Sequence, residues 1–304
     1  MKLTSVIYKI LMNVYAIAPF KKMWCYIVRA TGIPNEKFYR DMKFYGEFNV
    51  SLTPTIGFKL YHQYSTIENE IFWKGIGNSW EDDTVWIFIE LAKTSDVIFD
   101  IGANTGVYSL ISKSLNPQAK VYAFEPVQRT FKRLEKNIAI NNFDVTVEQI
   151  ALSNKSGKQV FYDSLIEHQQ SSSLSADKLK NTDWNTDEIV EYEIETITLD
   201  DYIERNGIKK IDLMKIDVEM HEPEVIEGFK KYLDVFKPYM VIEVLEDGIA
   251  EKLNAVFANN NYRLFHLDKD TLEPKEKIEV VRYKWNYLIC TPQQVDRLQK
   301  FIRQ

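Results

Sequence analysis

The chain has 304 residues, 45% hydrophobic and 27% charged, which excludes disordered and fibrous classes and leaves length for one large domain with an appendage. A formal net charge of -6 argues against nucleic acid as the partner, since that would call for a basic face, and favours a small molecule or a glycan. Cys25 and Cys290 are the only cysteines and stand in no CxxC or metal-ligand spacing, so neither a disulfide framework nor a structural zinc is expected, and a reducing, cytoplasmic setting fits.

The chain begins with an apolar, basic stretch. Lys9 interrupts it, no small-residue cleavage site follows, and the run from Ile10 to Phe20 is too short to span a bilayer. What remains over residues 1–30 is an amphipathic helix carrying Lys2, Lys9, Lys21, Lys22 and Arg29, with no acid before Glu36. Such a helix packs on its own domain or on another subunit of a homo-oligomer, or rests on an anionic membrane surface. Phe48–Leu52 and Ile56–Tyr61 read as short strands, with Pro54 marking the turn between them. Glu68–Lys74 and Trp80–Leu91 read as helices, the second with Glu81 and Asp82 in a first turn where negative charge suits the helix dipole.

From Asp96 onward short apolar runs alternate with helical periodicity, the pattern of βαβ units in a sheet covered on both faces. Strands are predicted at Val97–Asp100, Lys120–Glu125, Val145–Ile150, Val160–Tyr162, Ile211–Asp217 and Tyr239–Glu243. Helices are predicted over Val107–Leu115, Arg129–Asn141, Pro223–Leu233 and Ile249–Ala258, and Tyr262–His266 with Trp285–Cys290 close the sheet as a pair. The expected fold is a doubly wound, seven-stranded α/β sheet over residues 86–304, preceded by an α+β appendage over residues 1–85, with the stretch after about residue 247 completing the sheet.

Three motifs carry the chemistry. Asp100-Ile-Gly-Ala-Asn-Thr-Gly106 follows one strand and opens a helix, the position at which open α/β sheets bind ligands. Gly102 and Gly106 let a ligand lie against the backbone. The turn suits a nucleoside bearing an amino acid, because the G-x-G-x-x-G spacing that brings a pyrophosphate to a helix N-terminus is missing. Phe124-Glu125-Pro126 ends the next strand, where an acid accepts hydrogen bonds from both ribose hydroxyls. Adenosine recognition alone leaves a nicotinamide-dependent oxidoreductase open, although the missing glycine spacing disfavours it. The third motif runs from Lys215 to Gly228 and crowds Asp217, Glu219, Glu222 and Glu224 at a strand end. Crowded carboxylates raise one another's pKa unless a positive group offsets them, so a cationic ligand, a divalent metal or Lys215 is expected nearby. Glu222 and Glu224 also suit a helix N-terminus begun at Pro223.

Taken together, the three motifs resemble the FkbM family of methyltransferases, whose pattern D-x-G-A-N-x-G-x-Y-S, F-E-P and K-I-D-V-E-G-x-E-x-x-V-L-x-G this chain nearly reproduces. The resemblance covers roughly Asn69 to Pro292, including Ile150-Ala-Leu-Ser153, Ser171-Ser-Ser-Leu174 and Thr198-Leu-Asp-Asp-Tyr202. It implies a Rossmann-like methyltransferase fold, S-adenosylmethionine as methyl donor, and O-methylation of a sugar, polysaccharide, glycolipid or other small hydroxyl compound. It further implies that Asp100, Gly102, Asn104 and Gly106 hold the methionine part, that Glu125 holds the ribose, that Gln149 or Ile150 flanks the adenine, and that Asp217 faces the methyl group. Met220 departs from the pattern, standing where the family usually has Gly, and is expected to narrow the acceptor pocket or reset the loop. That departure also keeps a catalytically silent binding protein among the alternatives, beside methylation of another small metabolite at oxygen or nitrogen.

Methylating an alcohol requires loss of the hydroxyl proton as the oxygen attacks, so a base, a metal or both must help. Asp217, Glu219 and His221 are the candidate catalytic groups; a lone His beside acids is otherwise a surface or capping residue. Asp217, Glu219 and Glu243 form a candidate oxygen-ligand set for Mg2+. The polar stretch Glu167–Trp184 is long for a loop in a compact domain, which predicts a lid over the acceptor with Trp184 stacked on a sugar face.

Overall fold

The computed structural model describes residues 3–17, 20–32, 40–78, 80–164, 172–173, 189–258, 261–282 and 284–303. Two helices, α1 (Leu3–Ile17) and α2 (Lys21–Ala30), precede a hairpin of β1 (Tyr45–Ser51) and β2 (Gly57–Gln63), then α3 (Thr66–Lys74) and α4 (Val85–Ala92). The N-terminal stretch thus forms two helices where the sequence suggested one. Helix α4 begins at Val85 rather than Trp80, so Glu81 and Asp82 do not serve its first turn. Among the described residues no helix is long and apolar enough to cross a membrane.

The main sheet is built from β3 (Val97–Ile101), β4 (Lys120–Phe124), β5 (Val145–Glu148), β10 (Leu213–Ile216), β11 (Tyr239–Glu243), β12 (Arg263–Asp268), β13 (Thr271–Lys275) and β14 (Asn286–Cys290). Its order is β13-β12-β14-β11-β10-β3-β4-β5, with β3, β4, β5, β10 and β11 parallel and β14 antiparallel between β11 and β12. The seven expected strands are present, and β13 adds an eighth at the edge by folding back on β12. Helices α5 (Val107–Leu115) and α6 (Gln128–Asn141) make the first two crossovers. The expected single helix after β10 divides into α8 (Glu222–Glu227) and α9 (Lys230–Phe236), numbered after α7 (Leu199–Asn206). The break falls at Gly228, where an added Cβ would stand 2.1 Å from the Ser153 carbonyl oxygen. Helix α10 (Asp247–Phe257) leads to β12.

Successive side chains along a strand point to opposite faces, so a sheet covered on both sides needs apolar residues throughout. Strand β3 obeys this: Ile98 packs with the appendage, α5 and Val121 on one face, while Val97, Phe99 and Ile101 pack with Phe124, Met214 and Tyr202 on the other. The first of these clusters runs from Tyr15 and Val28 through Phe72 and Phe88 to Leu288, making the appendage continuous with the sheet's core. A second, four-stranded sheet, β6-β9-β7-β8, joins β6 (Ala151–Leu152), β7 (Gly157–Ser164), β8 (Ser172–Ser173) and β9 (Ile189–Ile197) beyond the end of β5. Apart from β8, the predicted lid at 167–184, with Trp184, lies outside the described residues.

Candidate active site

The chain reverses its winding direction at β3, with β4 on one side and β10 on the other, and ligands bind at such a switch beyond the carboxyl ends of the strands. A cleft of about 420 Å³ opens there, within the range typical of small-molecule sites. Backbone bonds lock its floor: Gly102 N and Ala103 N donate to Phe124 O at 3.0 and 2.9 Å, and Asp217 N donates to Ile101 O at 3.0 Å. Gly102 has φ 79°, and an added Cβ would sit 1.8 Å from Asp217 O, so only glycine lets these two strand ends approach.

The predicted residues divide between wall and support. Gly102, Asn104, Glu125, Ile150, Asp217, Glu219, His221 and Glu243 line the cleft. Asp100 does not; it is buried behind the turn, where its Oδ2 accepts from Ser109 N at 2.9 Å and Ser109 Oγ at 2.7 Å and so tethers α5. Burial pushes Asp100 up to about 6. Gly106 is likewise a supporting residue, since a Cβ there would meet Leu134 Cδ1 at 2.5 Å. Gln149 is exposed and off the wall, leaving Ile150 as the side chain of that pair in the cleft.

Glu125 sits at the end of β4 with its carboxylate spread between two backbone donors, Asn104 N at 3.1 Å to Oε2 and Val127 N at 2.9 Å to Oε1. These two bonds fix the carboxylate on the cleft wall. Asn104, at φ 51°, holds a buried Oδ1 with no hydrogen-bond partner among the described residues. An orphaned buried acceptor on the wall of a cleft calls for a donor from a ligand. Phe124, Pro126, Ile150 and Leu152 give the adjoining wall an apolar character.

Opposite this cradle stands the acidic cluster, and its positive partner is Lys215. This side chain is 1% exposed, with Nζ 3.2 Å from Asp217 Oδ2 and 3.8 Å from Glu81 Oε2. Burial alone would depress the ammonium, but Asp217, then Glu81 and Glu243, hold it above its ordinary value. Among the described residues no three His, Cys, Asp or Glu side chains are disposed to hold a metal ion. The candidate Mg2+ set of Asp217, Glu219 and Glu243 is not among such groups, and the positive partner that Asp217 and Glu81 have is the Lys215 ammonium. Burial, reinforced by Asp217 and Glu222, pushes Glu219 up to about 8, and Glu243 is raised well above the usual carboxylate range chiefly by burial and Asp217.

The loop after β10 takes two consecutive left-handed residues, Glu219 at φ 52° and Met220 at φ 74°. That conformation accounts for glycine at the second position in the family pattern, because a side chain there is strained by roughly 1–2 kcal/mol. Buried Glu222 stabilises the turn by accepting from Val218 N at 3.1 Å and Met220 N at 3.2 Å. Met220 itself packs against the core cluster that holds Val225 and Ile226 rather than on the cleft wall, so it does not narrow the pocket as expected. His221 Nε2 lies 2.9 Å from Ser153 Oγ and Nδ1 3.5 Å from Glu224 Oε2, which fixes the ring at the cleft edge.

Four wall residues, Thr66, Ile67, Trp80 and Glu81, come from the appendage and were not anticipated as site residues. Glu81, at φ 44°, accepts a hydrogen bond from Tyr108 and is pushed up to about 7, chiefly by burial. Phe161 of β7 was also missed.

Comparison with known proteins gives the following. Residues 100–264, just over half of the chain, match the methyltransferase FkbM domain. The chain is 29% identical over 164 residues to the hexuronic acid methyltransferase AglP of Haloferax volcanii, covering 54% of this chain and 62% of that protein. It is 33% identical over 156 residues to the 31-O-demethyl-FK506 methyltransferase FkbM of Streptomyces tacrolimicus, covering 45% and 60%. It is 30% identical over 154 residues to the 2-O-methyltransferase NoeI of Sinorhizobium fredii, covering 47% and 61%. This chain thus spans about three fifths of the length of each of these relatives.

Proposed function

The chain belongs to the FkbM methyltransferase family, and on that premise we propose that it transfers a methyl group from S-adenosylmethionine to a hydroxyl of a sugar, polysaccharide or glycolipid. The observation that carries this reading is the pairing, across one cleft, of the Glu125–Asn104 cradle with an acidic cluster held around Lys215. S-adenosylmethionine, when bound, supplies a methyl group activated by the positive charge on its sulfur.

The residues present fit that donor. Glu125, fixed on the cleft wall by Asn104 N and Val127 N, accepts from the ribose hydroxyls, Asn104 Oδ1 accepts from the amino group of the methionine part, and Ile150 and Leu152 flank the adenine. Asp100 and Gly106 act one layer back, holding the turn and α5 in place. On the acceptor side Glu219 takes the hydroxyl proton. A base works best with a pKa near the operating pH, and about 8 satisfies that. Asp217 and Lys215 position the loop that carries it, and His221, held by Ser153 and Glu224, orients the acceptor at the cleft edge.

We assign residues 1–85 to an appendage that walls the acceptor end through Trp80 and Glu81, and residues 86–304 to the donor-binding domain. A sugar acceptor is supported by the relative that methylates a hexuronic acid, and transfer to oxygen by the relative that methylates at a 2-O position. Two buried free thiols, Cys25 and Cys290, are compatible with the reducing cytoplasm as its location. The test is transfer of label from methyl-labelled donor to a panel of neutral sugars, uronic acids and glycolipids by the wild type and Glu219→Gln. Label on a saccharide, lost in the variant, is expected; label appearing only on amines would refute O-methylation.

A further inference from the structure

Helices α1 and α2 each turn one face inward. Tyr15, Cys25 and Val28 are buried, the Trp24 indole donates to Leu11 O at 3.1 Å, and the Tyr15 hydroxyl donates to Lys43 O. The packing requirement of both helices is met by that face. Yet Ile10, Val14, Phe20, Met23 and Ile27 make up five of the ten exposed large apolar side chains among the described residues, and Tyr26, packed by one edge on Phe72, leaves its rim exposed beside them. The 18 residues from Ile10 to Ile27 do not concentrate exposed apolar surface in this way by chance scatter, and such patches mark interaction sites.

The charge around the patch selects the partner. Lys9, Lys22 and Arg29 are exposed beside it, and the chain has no acidic residue before Glu36 although its net charge is -6. Apolar side chains on a helix pair whose own charges are all cationic fit the headgroup boundary of an anionic bilayer, where the apolar groups enter the acyl region and the cations meet lipid phosphates. We propose that the outer face of α1 and α2 docks this protein on an anionic lipid surface. The fold then gives docking a consequence for the cleft. Phe72 of α3 lies beneath α2, with Tyr26 5.1 Å and Arg29 5.0 Å from its ring, while Thr66 and Ile67 at the start of the same helix line the cleft. A nine-residue helix is about 13 Å long, so the docked face and the acceptor wall are joined by one short rigid element. Docking brings the cleft to a membrane-held acceptor.

The test is co-sedimentation of the full chain with vesicles of phosphatidylcholine alone and of phosphatidylcholine with phosphatidylglycerol. Variants are Met23→Ser with Ile27→Ser, and Lys9→Gln with Lys22→Gln; thermal melting and donor titration serve as folding controls. The full chain is expected to sediment with the anionic vesicles only, and less so as salt rises. The apolar pair should weaken partitioning by about tenfold or more, and each lysine removed by about fivefold, with melting and donor affinity unchanged. Failure to sediment with anionic vesicles, equal sedimentation of the Met23/Ile27 variant, or a self-associated chain that this variant renders monomeric would each overturn the proposal, the last by showing that a second copy covers the face. Donor titration keeps these outcomes separate from any failure of the methyltransferase reading.

Discussion

Glu68 offers a test of the physical account away from the cleft. It lies in the first turn of α3 with 0% exposure, and neither carboxylate oxygen meets a hydrogen-bond donor from another residue among the described residues. Burial pushes its pKa from 4.5 up to about 7, and the charges of Arg133 and Lys43 pull it back only in part. The folded chain therefore holds this proton more tightly than the unfolded chain does. The stability linked to it is fully present below pH 4.5, declines as pH rises, and is lost above about 7. At about 1.4 kcal/mol per pH unit the whole effect is about 3 kcal/mol, and roughly 2.5 kcal/mol of it falls between pH 5 and pH 8. Glu68→Gln removes the titration while keeping the shape. Urea unfolding of both proteins at the two pH values should show the variant gaining about 2.5 kcal/mol relative to the wild type on going from the acidic to the alkaline condition. Parallel pH dependence of the two proteins would refute the claim that Glu68 is buried without an adequate partner.

Three further outcomes follow from the cleft. With Glu219 as base, the methyl-transfer rate should climb with pH through about 8 as the carboxyl ionises, and Glu219→Gln should flatten that profile; a wild-type rate already constant from neutral pH upward would exclude this role. Gly102→Ala forces a Cβ to within 1.8 Å of Asp217 O at a φ of 79°, so unfolding experiments should show a loss of about 3 kcal/mol or more and calorimetry a loss of donor binding. Met220→Gly relieves the left-handed strain but gives up a partly buried side chain, two effects of about 1–2 kcal/mol each that oppose one another. Its donor affinity and stability should both stay close to wild type, and a large loss of affinity would mean that Met220 faces the ligand after all.

The turn after β3 and the acid at the end of β4 were legible as cleft elements because they are local. Asp100 to Gly106 and Phe124 to Pro126 each sit within a few residues of a strand end, and an apolar strand followed at once by a helix fixes which way such a turn faces. Local reading went astray where depth matters. The resemblance implied that Asp100 holds the methionine part; its carboxylate bonds Ser109 off the cleft wall, a position that depends on which side of β3 its side chain takes. The acidic cluster was visible as composition, and Lys215 stood among its expected neutralisers, but the choice between lysine and metal required the close approach of β10 to the Glu81 turn. Glu81 itself read as a helix-dipole acid, and nothing in its own segment signals burial against Tyr108 and Lys215 across the fold. Strand β9 is not among the predicted strands although its signal is present: Tyr192, Ile194 and Thr196 alternate with Glu191, Glu193 and Glu195, a two-residue period weakened by the polar stretch beside it.

The central claim is that Glu125 and the Asn104 turn hold the adenosyl donor. Calorimetric titration of the wild type and Glu125→Ala with S-adenosylmethionine and its demethylated product tests it most directly. Removing a carboxylate that bonds two hydroxyls should weaken binding by tenfold or more, with the fold intact by circular dichroism. Absence of binding by the wild type, or equal affinity in the variant, would contradict the account.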